Sequence, residues 1–516
     1  VLGAKVFFLV VGFVQQPLLR LAVGLADFGG LAQAMVVANV VNNVVISSGT
    51  QGVSRAVAGA PGREDEALRA ALKVHLPLAV VVAAVMAASA PLYARFERAD
   101  DVVAPLLVLA GVALLYGVYA PLIGYLNGRG RFGRQALLDV TFGTLRTIGL
   151  VGIGYLFASR GLSGVLGTTL GWVAAAACIV PVAARSTGLG VPVSLPRPAN
   201  VPGASAYLAM LLPIAGAQLF TNLLMQVDTA LLGRFLSESA AATTTALTDV
   251  SAISSLSSVS AAAPVTAREA VKAWMAVYRE CQTFAFLPYQ LLFSITLVLF
   301  PMLARARAEK DEDAVKSYVA RGSRLAAVFG GLFVAVIVAL PEALLAFAYP
   351  ADAAKGAAVL RVMVLTQGTF AMLGIATTVL TSLGHELEAA GVTLTALMTV
   401  AVSCFVLVPD AAFGHAQLVR SSEATGLGLL LALVGATVMV VRRARAFVPV
   451  LTAARVALAL AACWALGFVV PHVPRMAAPA LAIVVAFVYV AILVVTGELG
   501  RADLAMMRSL RKRGGS

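Results

Sequence analysis

Apolar runs of about twenty residues recur from one end of the chain to the other, separated by short polar stretches. Fourteen such runs can be placed, at 3–24, 30–53, 74–93, 103–126, 136–158, 163–184, 205–234, 273–302, 325–349, 359–383, 390–409, 423–441, 451–471 and 477–497. A helix needs roughly 20 mostly apolar residues to cross a hydrocarbon core of about 30 Å, so each run is long enough to span a bilayer. The pattern predicts an all-α polytopic membrane protein with about 14 transmembrane helices. Hydrophobic residues make up 60% of the chain, which leaves little for a soluble domain.

The arrangement suggests duplication. A mixed-charge segment after the second run (54–73) has a counterpart after the eighth (304–324), and the GYLNGRGRF turn at 124–132 corresponds in position to LTSLGHE at 380–386. Same-orientation repeats imply two bundles related by an axis along the membrane normal. The expected organisation is a six-helix bundle over 1–184, a cytoplasmic linker at 185–204 and a second six-helix bundle over 205–441. Helices 13 and 14 follow at 442–497, with a basic tail at 498–516. Residues 236–270, rich in Ser, Ala and Thr, read as an external insert between runs 7 and 8, with a short amphipathic element as the alternative.

The net charge of +13 changes meaning once its positions are considered. With the N-terminus inside, about 23 lysines and arginines fall in cytoplasmic segments and about nine in external ones, which orients the chain with both termini cytoplasmic. The charge then reflects topology, and no nucleic-acid partner is implied. No cleavable signal peptide is evident, because the first apolar run is too long. The cysteines Cys178, Cys281, Cys404 and Cys463 lie within runs without metal-ligand spacing and read as small core residues. The four histidines form no metal cluster, and no cofactor motif is present. GRGRFG at 128–133 fits GxGxxG but joins two membrane helices, where the dinucleotide fingerprint requires a strand before it and a helix after.

Polar residues inside the runs are the candidates for function, since a charge at mid-helix costs about 2.5 to 3.5 kcal/mol on insertion scales. They are Arg20, Arg146, Asp228 and Arg279, with Asp139 and Glu280 beside them in sequence space. Gln218, Asn222 and Gln226 repeat at intervals of four and form a stripe ending beside Asp228. Asn39, Asn42, Asn43 and Gln51 share one broad side of the second run. Two readings stay open for the amides: they line a hydrated interior, or they join helices by hydrogen bonds. Arg361 and Arg455 read as snorkelling near span ends. Asp100 and Asp101 read as a solvated loop pair, and for Arg279 with Glu280 a local pair near the outer surface stands open beside the cavity reading. No catalytic residue or metal site is predicted.

Several stretches carry a family likeness: ADFGGLAQAMVVANVV at 26–41, YLNGRGRFGRQALLDV at 125–140, QVDTALLGRFLS at 226–237, LVLFPMLARA at 297–306 and LTSLGHE at 380–386. In order and position the chain resembles the multidrug/oligosaccharidyl-lipid/polysaccharide flippase superfamily, and within it the bacterial polysaccharide exporters of the Wzx type. The resemblance implies two bundles around a central cleft and no enzymatic activity. It also implies export of an oligosaccharide linked to undecaprenyl pyrophosphate across the bacterial inner membrane by alternating access, for surface polysaccharide such as lipopolysaccharide.

Runs 1, 2, 7 and 8 would line that cleft, with Arg20 and Arg279 meeting the pyrophosphate or acidic sugars and Asp228 as the ion-coupling candidate. Arg146, Asn39, Asn43, Gln218, Asn222 and Gln226 complete the candidate lining. The expected partners are the lipid-linked oligosaccharide, membrane lipids and the polysaccharide polymerase and export machinery. The insert at 236–270 departs from the short loop usual in such families. The alternatives are a peptidoglycan lipid II flippase, for which fewer N-terminal arginines are present than expected, and a cation-coupled drug efflux transporter. A membrane glycosyltransferase or polymerase would call for a larger external loop with catalytic acids.

Overall fold

In the computed structural model, which describes residues 2–188, 204–242, 266–469 and 474–500, the described residues form helices joined by short turns. Seventeen helices and no strand occur among the described residues. The central part of the expected insert, the core of the 185–204 linker, His472 and nearly all of the basic tail lie outside the described residues.

The first seven helices are α1 (Leu2–Val23), α2 (Leu25–Ala58), α3 (Glu64–Glu97), α4 (Val103–Gly128), α5 (Phe132–Ala158), α6 (Gly164–Thr187) and α7 (Ala204–Leu224). Then come α8 (Val227–Ala242), α9 (Ala267–Ala285), α10 (Leu287–Ala308), α11 (Glu312–Ala339) and the short α12 (Pro341–Ala348). The last five are α13 (Ala357–Ser382), α14 (Glu386–Leu407), α15 (His415–Ala444), α16 (Val450–Val469) and α17 (Ala478–Val495). Twelve of them are long and apolar enough to cross a membrane. The protein is a multi-pass membrane protein, and adding α1 and the α9–α10 pair is consistent with about fourteen crossings.

Two expected spans are broken. The run at 205–234 is divided by a turn at Met225 and Gln226, and the run at 273–302 is interrupted at Phe286. Pro288 occupies the first turn of α10, where its missing N–H has no intrahelical partner to lose. Helices α2 and α3, at 34 residues each, extend about 51 Å, so each projects well beyond the hydrocarbon core.

Packing divides the described chain into two compact units: residues up to Arg279 with Ala412–Gly414, and Glu280–Ala411 with the chain from His415 onward. In the first unit α2 and α4 are buried over more than half of their apolar windows, whereas α3, α5 and α7 bury one narrow stripe. The remaining faces carry exposed Val80, Leu137, Ile148 and Leu212, the side chains a bilayer would cover. With lipid as apolar as leucine, close van der Waals packing has to supply the attraction between helices, and small residues permit it. Gly149 and Gly171 bring α5 against α6 so tightly that a Cβ on Gly171 would lie 2.0 Å from the Gly149 carbonyl oxygen.

In the second unit α11 and α13 are the most buried long helices. Helices α16 and α17 join α11 through Ala335, Val456, Ala459, Cys463, Val485 and Tyr489. The Tyr489 hydroxyl donates to the Val328 carbonyl at 3.1 Å, which satisfies the one polar atom that ring brings into the interface. Of the four cysteines, Cys281, Cys404 and Cys463 are buried as core residues should be, while Cys178 is exposed on α6.

Candidate functional site

All nine sequence-predicted site residues lie in the first unit, and the structure brings some of them together. Helices α2 and α7 are joined by the Asn43 amide, which donates to the Asn222 side-chain oxygen at 3.0 Å. The Asn222 amide in turn donates to the Gln218 carbonyl at 2.8 Å, one turn earlier. Asn39 stands half-buried one turn before Asn43 on α2. Asn42, beside them, is buried with neither amide atom partnered. The stripe expected from Gln218 to Gln226 stops at Leu224, and Gln226 belongs to the turn that precedes α8.

Asp228 opens α8, where a carboxylate complements the helix dipole. It is buried, and its oxygens accept from the Tyr278 hydroxyl at 2.7 Å and from the Thr229 backbone N–H at 2.7 Å and hydroxyl at 3.2 Å. These donors are neutral, and Asp228 forms no ion pair among the described residues. Arg279 follows Tyr278 in α9 and is half-buried.

The other two cations are placed on α1 and α5. Arg20, only 6% exposed, sits in the last turn of α1, the end at which a positive charge is favoured. The Arg146 guanidinium lies 5.9 Å from the Trp172 ring centroid, and its Nε is buried without a partner. Trp172 donates to the Tyr116 hydroxyl at 2.9 Å. One residue beyond Arg146, the Thr147 hydroxyl donates to Gln15 at 3.1 Å and ties α5 to α1.

A second polar cluster was not anticipated. Glu97, fully buried at the end of α3, accepts from Gln33 Nε2 at 2.6 Å and from the Tyr93 hydroxyl. Close by, Asp101 pairs with Arg268 at 2.7 Å and Lys272 at 2.5 Å, so the expected solvated loop pair is instead half of an ion network with α9. The backbones of α2 and α9 meet there: a Cβ on Gly29 would lie 1.7 Å from the Lys272 carbonyl oxygen. The visible signal was the GlyGly of ADFGGLAQ, whose small side chains permit such an approach. A third unanticipated pair is His75 with the Tyr207 hydroxyl, 2.7 Å apart.

In the second unit Arg455 has an acidic partner that the sequence reading did not foresee. It pairs with Glu498 at 3.1 Å, as does Arg324 at 2.6 Å, and the Thr452 hydroxyl donates to the same carboxylate at 2.7 Å. Burial pushes the Glu498 carboxyl up, but the bonds from Arg324, Thr452 and Arg455 outweigh it and hold the group below its ordinary 4.5. Arg361 lies over the Phe468 ring, 4.6 Å from its centroid. Among the described residues no three His, Cys, Asp or Glu side chains come together as a metal site.

Residues 18–259 match the family model described as polysaccharide biosynthesis protein. No curated protein sequence matches. Among solved structures, the lipid II flippase MurJ in an inward closed conformation shares the fold with a TM-score of 0.69 at 11% identity, over 95% of this chain and 96% of that one. An inward-facing multidrug resistance MATE family transporter gives 0.61 at 13% identity, over 85% and 94%. A transporter of the same superfamily from Pyrococcus furiosus gives 0.56 at 14%, over 85% and 95%. The chain therefore shares the fold of these flippases and transporters, and residues 18–259 carry a polysaccharide biosynthesis signature.

Proposed function

We propose that this protein is a non-enzymatic flippase that moves an oligosaccharide linked to undecaprenyl pyrophosphate across the bacterial inner membrane, for surface polysaccharide, by alternating access. The observation that carries the reading is the polysaccharide biosynthesis signature over residues 18–259, the part of the chain that holds eight of the nine candidate residues. Arg20, Arg146 and Arg279 supply positive charge for the pyrophosphate, because a guanidinium fork binds phosphate oxygens bidentately. The amides of Asn39, Asn43, Gln218, Asn222 and Gln226 suit sugar hydroxyls, to which each offers both donors and an acceptor. The Asn43–Asn222 bond is the resting state of that surface: cargo replaces it with bonds of its own. Asp228, held by neutral donors, is the residue through which an ion couples to transport.

The excess of lysine and arginine in alternate loops supports an inner-membrane orientation with both termini cytoplasmic. The polymerase and export machinery are the partners that receive the cargo. The 236–270 insert is an external linker in this reading.

Deletion in the native host tests the assignment. The reading expects a completed repeat unit on undecaprenyl pyrophosphate to accumulate in spheroplasts, protected from an external glycosidase, and to be cleared when the gene is restored. A truncated unit would point to a glycosyltransferase, and unchanged lipid-linked sugars to efflux. The fold shared with the lipid II flippase MurJ supports peptidoglycan precursor as a second reading, for which restored growth of a MurJ-depleted strain is the decisive result.

A further inference from the structure

A cavity of about 500 Å³ opens at one end of the second unit. The α10–α11 turn, the α13–α14 turn and the end of α15 form its walls, and six lysines and arginines line it against three carboxylates. Two of those carboxylates are already engaged: Asp311 accepts the Ala314 N–H as the cap of α11, and Glu312 faces Arg445 at 3.6 Å. Arg443 is held by Glu388. Arg307, Lys310, Lys316 and Arg442 remain exposed around the cavity and form no ion pair among the described residues.

An apolar track leads away from this basic rim. On α15, Val441, Val438, Val434 and Leu431 are 44%, 45%, 58% and 55% exposed and recur at the spacing of one helix face. Leu387, two residues past the lining His385, is 90% exposed. Side chains of this kind lie against acyl chains, so the cavity and the track together have the two halves of a lipid: anion at the rim, hydrocarbon beside it.

We propose that this cavity binds the phosphate diester headgroup of an anionic phospholipid, with the acyl chains along the exposed face of α15. Dipole compensation at the ends of α10 and α15 and the loop charge that orients the chain account for cations on this side, but neither gathers four unpaired ones around a concavity with room for a headgroup. Basic pockets between membrane helices recognise anionic headgroups through this combination of charge and depth. The assignment stands whichever cargo the protein moves.

The test uses the full chain purified in detergent, with retention of phosphatidylglycerol and phosphatidylethanolamine measured by native mass spectrometry, alongside thermal stabilisation by each lipid. We expect phosphatidylglycerol to be retained preferentially, and the variant Lys310→Gln/Lys316→Gln/Arg442→Gln to retain it at least tenfold less. Arg305→Gln, a change at an exposed residue already paired with Glu309 and outside the cavity, should retain it as the parent does. Equal retention of the two lipids, or undiminished retention by the triple variant, would overturn the proposal. Stabilisation by inorganic phosphate with no preference between lipids would assign the cations to a soluble anion and overturn the lipid site.

Discussion

Asp228 in the first unit and Glu498 in the second are both buried carboxylates, and their surroundings differ in kind. Asp228 accepts from two hydroxyls and an amide; Glu498 is clasped by two arginines and a threonine. A carboxylate matched by fixed cations holds its charge, and breaking such a match leaves the partners stranded. One held by neutral donors can exchange a partner or a proton at lower cost. In the proposed function the contrast separates the acid assigned to ion coupling from one that fastens helices.

The clasp should show the larger effect on stability. Glu498→Ala leaves Arg324 and Arg455 without their acid and is expected to cost about 3 kcal/mol, read as a lower midpoint of thermal unfolding in detergent; an unchanged midpoint would remove the clasp from the argument. Asp228→Asn preserves shape, keeps an oxygen for the Thr229 N–H and turns an amide donor to the Tyr278 hydroxyl, which can accept it, so its cost in stability should be below about 1 kcal/mol, while export of surface polysaccharide falls at least tenfold. If this variant unfolds as early as Glu498→Ala, the distinction between the two acids collapses.

A smaller change is expected at Asn43→Ala, which removes one interhelical amide bond. Such bonds average about 0.6 kcal/mol in a membrane, a difference that a double-mutant cycle with Asn222→Ala can measure; zero coupling would mean that α2 and α7 are held by packing alone. The smallest effect near neutrality is that of pH on the clasp. Because the folded state holds Glu498 below its ordinary 4.5, its contribution is complete above that value and is lost as pH falls through the folded-state pKa. The gap in thermal midpoint between the parent and Glu498→Gln should be constant from pH 8 to about 5.5 and shrink in stronger acid. A gap that widens on acidification would reverse the assignment.

Hydropathy located the helices, because a membrane span must be apolar along its length, but it averages over interruptions. The breaks at Gln226 and Phe286 fell inside runs that are apolar on average, and their marks, Gln226 with Asp228 and Pro288, do not by themselves specify a break. Polar residues in mid-span were visible as candidates one at a time, and which of them meet was not. Asn43 and Asn222 are 179 positions apart, and no periodicity within one helix reports a contact of that range. Glu97 is hard to single out for a related reason: in RFERADD it has the look of a loop residue, and its hydrogen-bond partner Gln33 lies on another helix. Arg455 suited a snorkelling description until its partner, 43 residues further on, was in place.

That long reach has a consequence for biogenesis. Arg324 lies 174 residues before the acid that neutralises it, so during synthesis it enters the membrane environment well before Glu498 has been translated. Closure of the clasp therefore reports that α17 has been delivered and seated. Until then Arg324 and Arg455 lack this acid, and the packing of α16 and α17 on α11 is not yet fastened at that end.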